Sequence, residues 1–185
     1  MIKKFTLLTS LIFGSFAFGQ IDVYQDFEHP YNVWANPESG IDRFVTSSQY
    51  FCGGEGAAGA LLGTLLGPFG IGPKYMYSPI LEGNNGEEVT ITYSMIIGKA
   101  NATITEMEAI PEGIDWGYFK LYFTVDGGST WEMIQEIDYT NYTSIIECNT
   151  FSVNIPSEKM VDGNQFAIRF EVDRDVAYDE IMMKL

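Results

Sequence analysis

Basic residues are scarce in this 185-residue chain, which has 10 Lys and Arg against 25 Asp and Glu and a formal net charge of −15. Proteins that bind nucleic acid hold its phosphates with clustered Lys and Arg. The composition therefore argues against a nucleic-acid partner. A strongly acidic surface favours solubility outside the cell, and it also attracts divalent cations.

Histidine occurs once, as His29 beside Pro30, and the sequence has no GxSxG or HExxH motif. Catalytic triads and most zinc sites therefore lack their usual base or ligands. A glycoside hydrolase needs only two carboxylates, but the acidic residues are so abundant that no pair stands out. We expect a non-catalytic protein, with a secreted hydrolase as the alternative.

Long apolar runs are also missing. The N-terminal run, Phe5–Phe18, is shorter than the ~20 residues that cross a bilayer as a helix. Lysines precede it, and Ala17-Phe18-Gly19 places small residues where a signal peptidase cleaves. We predict a signal peptide over residues 1–19 and one secreted or cell-surface domain over 20–185, with no membrane span after cleavage.

Cysteine occurs only twice, as Cys52 and Cys148. An exported chain meets an oxidising compartment, where these two residues suit a single long-range disulfide. Sequence separation does not show whether the two come within bonding distance. Two buried free thiols are the alternative interpretation.

Helical periodicity is scarce after the leader, and alternating or aromatic runs bounded by Gly, Pro, Asn or Asp recur instead. In the clearest run, Phe119, Leu121 and Phe123 share one face of a predicted strand. The candidate strands are Ile21–Glu28, Ile41–Phe51, Lys74–Leu81, Glu88–Ile97, Tyr118–Asp126, Trp131–Tyr139, Thr150–Ile155, Gln165–Asp173 and Val176–Lys184. This pattern predicts an all-β fold, an antiparallel β-sandwich (jelly roll) of about nine strands.

The tract Gly53–Gly72 is unusually rich in glycine, and Gly54, Gly56 and Gly59 spell GxGxxG. That motif holds a dinucleotide only inside a parallel βαβ unit, and no alternation of strand and helix follows here. We therefore expect no nucleotide cofactor. The tract is interpreted as an apolar loop, a short strand or a broken helical turn.

The segment from Thr124 to Trp131 resembles the Asp-box pattern Ser/Thr-x-Asp-x-Gly-x-Thr-Trp. In such a hairpin the Asp, here Asp126, caps backbone N–H groups of its turn, with Gly128 in the turn and Trp131 packed beneath it. Sialidase propellers carry several such boxes on longer chains. One box predicts a structural hairpin and not a glycosidase site.

Five short motifs occur in an order that resembles MAM-type jelly rolls, in particular the choice-of-anchor J and cleaved-adhesin modules of secreted Bacteroidota proteins. They are Asp26-Phe27-Glu28, Tyr77–Leu81, the Asp126 hairpin, Ala167–Phe170 and Tyr178–Ile181. The resemblance spans most of the chain after the leader. It implies an adhesion or carbohydrate-binding module exported by the type IX secretion system.

The same resemblance implies a structural calcium ion (Ca²⁺) held by Glu28 and Asp179, with Asp26 as a further ligand. Calcium takes several oxygen ligands, some of them backbone carbonyls that a sequence does not display. Solvated carboxylates are the alternative. The chain departs from the family pattern at Glu180, and the glycine-rich region before Ser78 replaces what is more often a plain strand.

Exposed aromatic residues are the side chains on which sugars stack, and Trp34, Trp116 and Tyr31 are the candidates for this role. An aromatic-rich sandwich also uses such residues in its core and rim. We predict a secreted, non-catalytic module that binds an extracellular glycan or protein. A hydrolase and a structural spacer of a larger surface protein are the alternatives.

Overall fold

The structure is a computed structural model that describes residues 21, 43–44, 52, 58–62, 72–81, 84–100, 107–161, 165–174 and 181–184. Its strands are β1 Arg43–Phe44, β2 Ala58–Leu62, β3 Lys74–Tyr77, β4 Val89–Ala100, β5 Met107–Glu108, β6 Tyr118–Thr124, β7 Glu132–Asp138, β8 Asn149–Ile155, β9 Ala167–Asp173 and β10 Ile181–Lys184. A 3-10 turn covers Ser157–Lys159. In these ranges no helix is long and apolar enough to cross a membrane.

The strands form two antiparallel sheets. The smaller sheet has the order β3-β9-β6-β7. The larger has the order β1-β2-β10-β4-β5, and β8 also pairs with β4. Strand β4 is long enough to pair with more than one strand: Val89–Met95 pairs with β8, and Ile96–Lys99 pairs with β10. The predicted all-β, antiparallel class is confirmed.

A hydrophobic core joins the two sheets. Phe119, Leu121 and Phe123 of β6 are almost fully buried, as their alternation predicts. The Tyr93 ring of β4, in the larger sheet, lies 5.5 Å from that of Phe119 and 5.6 Å from that of Phe170, both in the smaller sheet. Each buried ring of this size stabilises the fold by roughly 1.5–3 kcal/mol, so these ring contacts between the sheets contribute to the stability of the fold.

Part of the glycine-rich tract is a strand. Ala58–Leu62 forms β2, which pairs antiparallel with β1 on one side and with β10 on the other. Of the three interpretations of the tract, the short strand is the one found for these residues. Both partners are antiparallel, so β2 does not belong to the parallel βαβ unit that a dinucleotide-binding motif requires. The rest of the tract, apart from Gly72, lies outside the described residues.

Cys52 and Cys148 are joined by a disulfide, with their Cα atoms 5.3 Å apart. Cys148 immediately precedes β8, so the bond ties residue 52 to the larger sheet. Cys52 also packs against a small second cluster formed by Ile96, Met107 and Ile146. The bond therefore lies beside apolar contacts between β4 and β5.

Candidate ligand-binding face

Most of the predicted ligand and metal residues fall outside the described part of the chain. They are Asp26, Glu28, Tyr31, Trp34 and Asp179. Within the described ranges, no three His, Cys, Asp or Glu side chains are grouped so that they could hold a metal ion. The calcium site implied by the family resemblance therefore stays a prediction.

Trp116 is the one predicted sugar-stacking residue that the structure describes, and it lies in the core. Only 2% of its surface is exposed, and its ring meets that of Tyr142 edge to face at 6.3 Å. A ring that stacks on a sugar needs a free face. The expectation that Trp116 contacts a ligand is corrected accordingly, because burying its large apolar ring beside Tyr142 places it among core residues.

The segment around Asp126 forms a tight hairpin between β6 and β7. Asp126 Oδ1 accepts hydrogen bonds from the Thr124 hydroxyl at 2.6 Å and from the Thr130 N–H at 2.9 Å. Asp126 Oδ2 accepts one from the Thr130 hydroxyl at 2.6 Å. These hydrogen bonds, above all that from Thr124, lower the pKa of Asp126 to about 2. The carboxylate is thus engaged by its own turn.

The two glycines of this hairpin adopt the left-handed conformation that the turn requires, with φ of +71° at Gly127 and +92° at Gly128. A Cβ at Gly128 would lie 3.5 Å from the Trp131 ring, so the indole covers the turn. Trp131 also meets Tyr77 of β3 edge to face at 5.6 Å. The hairpin therefore places Trp131 at the outer face of the smaller sheet.

The two sheets present different outer faces. On β4 and β8 of the larger sheet, polar side chains of paired residues form hydrogen bonds with each other. Examples are Thr92 with Ser152 and Ser94 with Thr150. On the smaller sheet the outward positions hold aromatic and charged side chains. We call this second surface the aromatic face: Tyr75, Tyr77, Tyr118, Tyr122 and Trp131, with Lys120, Arg169 and Glu171 among them.

Strand register builds the aromatic face in rows. Arg169 of β9 pairs with Tyr77 of β3 on one side and with Tyr122 of β6 on the other. In the next row Glu171 pairs with Tyr75 and Lys120. Since paired residues of antiparallel strands point to the same side of a sheet, both rows present their side chains outward, opposite the buried Phe170.

Arg169 lies at the centre of the aromatic rings. Its guanidinium carbon is 4.2 Å from the centroid of the Tyr122 ring and 5.0 Å from that of Trp131. The rings of Tyr75 and Tyr77 follow at 5.5 and 6.0 Å. Within the described residues the buried Arg169 Nε has no hydrogen-bond partner. A buried donor without a partner costs free energy. Attraction between the guanidinium cation and the surrounding π faces offsets part of this cost.

The charges of the aromatic face neutralise one another. Arg169 forms an ion pair with Glu171 at 3.4 Å, with 16% and 12% of the two side chains exposed. The Tyr118 hydroxyl donates a hydrogen bond to Glu171 at 3.0 Å. Lys120 forms an ion pair with Glu136 at 3.2 Å, and its ammonium lies 4.0 Å from the Tyr118 ring centroid. The face is therefore polar without being strongly charged.

The hydroxyls of Tyr75, Tyr118 and Tyr122 stay protonated in neutral solution. Burial is the first cause that raises the pKa of Tyr75, Tyr118 and Tyr122 above the ordinary value, and the Glu171 carboxylate adds to it. A protonated phenol both donates and accepts hydrogen bonds. The face therefore offers neutral hydroxyls beside a fixed guanidinium and a fixed carboxylate.

Sequence reasoning missed the aromatic face. The local signal was present, because the outward positions of β3 and β6 alternate with buried ones and carry Tyr75, Tyr77, Tyr118 and Tyr122. What brings them together is β9, which pairs with both strands, and this pairing joins segments that are far apart in the chain.

Comparison with known proteins adds no relative: no protein-family model matches this chain, and no curated protein matches it. The fold and the aromatic face therefore show only the structural class of the protein. The chain is an all-β protein with two antiparallel sheets, one of which presents aromatic side chains outward.

Proposed function

We propose that this protein is a secreted, non-catalytic binding or adhesion module of the jelly-roll type, and that the aromatic face is its ligand-binding surface. The observation that carries the proposal is the gathering of four aromatic rings around Arg169 on the outside of the smaller sheet. An outer sheet face normally carries polar residues, as β4 and β8 do here, so partly exposed rings call for a function.

Order in the free protein supports a binding role. Ion pairs and ring contacts hold Arg169, Glu171 and the tyrosines in place before any ligand arrives. Binding then costs less side-chain entropy than it would on a surface of free lysines and glutamates. The jelly-roll topology, the signal peptide over residues 1–19 and the calcium ion at Glu28, Asp179 and Asp26 belong to the same proposal, supported by the sequence alone.

A glycan array, together with a panel of extracellular matrix proteins, tests this function on the purified protein. The variant Tyr122→Ala removes the ring nearest Arg169, and Tyr139→Ala serves as the control because Tyr139 is 40% exposed on another part of the surface. Binding is expected to fall about tenfold or more in Tyr122→Ala and to persist in Tyr139→Ala.

Three outcomes would contradict the proposal. Absence of binding to every glycan and protein tested would favour a structural spacer. Release of reducing ends from a bound glycan would favour a glycoside hydrolase. Equal binding by the wild type and by Tyr122→Ala would place the binding surface elsewhere. Repeating the screen with and without EGTA, alongside a melting curve, tests the calcium ion independently of the ligand.

A further inference from the structure

We propose that the aromatic face takes an uncharged glycan chain and not an anionic polysaccharide or a protein. This inference rests on the proposed function and names the ligand of the same surface. It is carried by the spacing of the rings, the cancellation of charge across the face, and the position of an ion pair at its centre.

The spacing suits a chain of sugar rings. Tyr77 and Tyr122 lie on strands that flank β9, two strand spacings or about 9–10 Å apart, with Arg169 between them. Each sugar of an extended chain advances the chain by roughly half that distance, so the two tyrosines suit every second sugar of such a chain. The C–H faces of such sugars stack on aromatic rings, while their hydroxyls point to the sides.

The charges disfavour an anionic ligand. Both cations at the middle of the face are engaged, Arg169 by Glu171 and Lys120 by Glu136. The whole chain carries a formal net charge of −15, so a polyanion approaching the face meets long-range repulsion. Recognition of uronate or sulfate groups would instead call for clustered cations that are free to pair with them.

The ion pair at the centre disfavours a protein interface. Protein interfaces enrich Tyr, Trp, Met and Arg but deplete Lys and Glu. The aromatic face holds Lys120 and Glu171 side by side in one of its rows. Covering Arg169 and Glu171 with an apolar surface would remove the water that still reaches them, at a cost that their mutual attraction only partly offsets. Sugar hydroxyls both donate and accept hydrogen bonds, so they replace that water for a guanidinium and a carboxylate alike.

The apolar content of the face points the same way. In the part of the chain that the structure describes, the exposed large hydrophobic residues are Ile80, Ile114, Met133, Tyr139, Ile145 and Val161. Among them only Met133 belongs to a row of the aromatic face, where it pairs with Tyr122. The rings thus stand among polar groups and not within a broad apolar patch.

The test is calorimetric titration with two soluble panels of oligosaccharides, one neutral (glucan, mannan, xylan and chitin fragments) and one bearing uronates (alginate and polygalacturonate fragments). Neutral oligosaccharides are expected to bind, with an affinity that barely changes between low and high salt because no net charge is neutralised. Uronate-bearing oligosaccharides are expected to bind more weakly or not at all.

Variants locate the binding and guard against misfolding. Met133→Glu places a carboxylate in the row of Tyr122 at a position that is 46% exposed, so the variant is expected to fold. Val161→Glu is the matched control at a position 50% exposed outside the face. Met133→Glu and Tyr122→Ala are expected to weaken binding about tenfold, Val161→Glu to leave it unchanged, and Tyr122→Phe, which keeps the ring, to retain most of it.

Two further outcomes would contradict the inference, and they differ in what they mean for the proposed function. Binding of only uronate-bearing chains, or only of a protein, with loss in Met133→Glu overturns the neutral-glycan inference and leaves the binding face standing. Binding that neither Met133→Glu nor Tyr122→Ala weakens overturns both.

Discussion

The hydroxyl of Tyr93 donates a hydrogen bond to Gln135 Oε1 at 2.5 Å, and this bond connects the two sheets through the core. Tyr93 belongs to β4 of the larger sheet, and Gln135 belongs to β7 of the smaller one. Burial raises the pKa of Tyr93 well above its usual range, so the phenol remains a donor at all ordinary pH values. The pair is a polar link between apolar layers.

Removal of one partner from this pair is expected to cost more than removal of both. Tyr93→Phe leaves the Gln135 amide without its partner and should lower the free energy of unfolding by about 1–3 kcal/mol. Adding Gln135→Met to that variant removes the stranded amide and should recover part of the loss. Urea denaturation of Tyr93→Phe, Gln135→Met and the double variant measures the coupling energy between the two residues. A double variant whose loss of stability equals the sum of the two single losses would contradict the prediction.

The hairpin carboxylate should be sensitive to acid in a defined range. The pKa of Asp126 is about 2 in the folded chain, against 3.8 for an ordinary aspartate. A lowered folded pKa gives a stabilising contribution that is present above pH 3.8 and is lost as the pH falls towards 2. Wild type should therefore lose more thermal stability than Asp126→Asn between pH 5 and pH 2.

An NMR titration of the Asp126 carboxyl carbon checks the cause directly. Thr130→Val removes the hydroxyl that bonds to Oδ2 and should move the titration midpoint towards 3.8. A wild-type midpoint already near 3.8 would contradict the geometry of the turn.

Asp173 should behave in the opposite way. Burial, with the nearby Glu171, raises its pKa above 3.8, although the Arg174 N–H and the charges of Arg174 and Lys74 act against this. Because the pKa of Asp173 is higher in the folded state than in the unfolded state, folding favours its protonated form. Its stabilising contribution is therefore fully present below pH 3.8 and is lost as the pH rises through the pKa of the folded state.

Asp173→Asn keeps the side-chain oxygen that accepts from the Arg174 N–H and removes the charge. Its melting temperature should exceed that of the wild type at pH 7, and the two should converge below about pH 4. A melting temperature that falls at pH 7 would show that Lys74 and Arg174 outweigh the burial.

Much of the fold follows from local pattern. The predicted strands Trp131–Tyr139 and Thr150–Ile155 match β7 and β8 to within a residue at each end, because alternation along a half-buried strand is visible in the sequence. Lys74–Leu81 was predicted too long. Strand β3 ends at Tyr77, before Pro79, which has no N–H to donate to a neighbouring strand. The two-residue strand β5 was missed because it is too short to show alternation.

The aromatic face was harder to predict than the strands. Its tyrosines occupy the outward positions that the alternation of β3 and β6 shows, but their neighbours are set by β9, about fifty residues or more away in the chain. The predicted sugar-stacking residues were Trp34, Trp116 and Tyr31, and Trp116 is buried. Large rings enter cores readily, so ring size alone does not separate a binding residue from a packing residue.

The disulfide should contribute measurably to stability. The bond between Cys52 and Cys148 spans a sequence separation of 96, and loss of such a crosslink frees a long loop in the unfolded chain. Reduction is expected to cost about 2–5 kcal/mol. Thermal melting with and without dithiothreitol measures this, and the variant Cys52→Ser/Cys148→Ser should show no response to the reductant. An unchanged wild-type melting temperature would contradict the prediction.

Trp116 should affect stability and leave ligand binding unchanged. Trp116→Phe keeps a ring against Tyr142 but leaves a cavity in a site that is 2% exposed, so a loss of about 1–3 kcal/mol in the free energy of unfolding is expected. Because the ring offers no free surface, affinity for the ligand of the aromatic face should match that of the wild type at a temperature where both are folded. Loss of affinity with unchanged stability would return Trp116 to the ligand-binding residues.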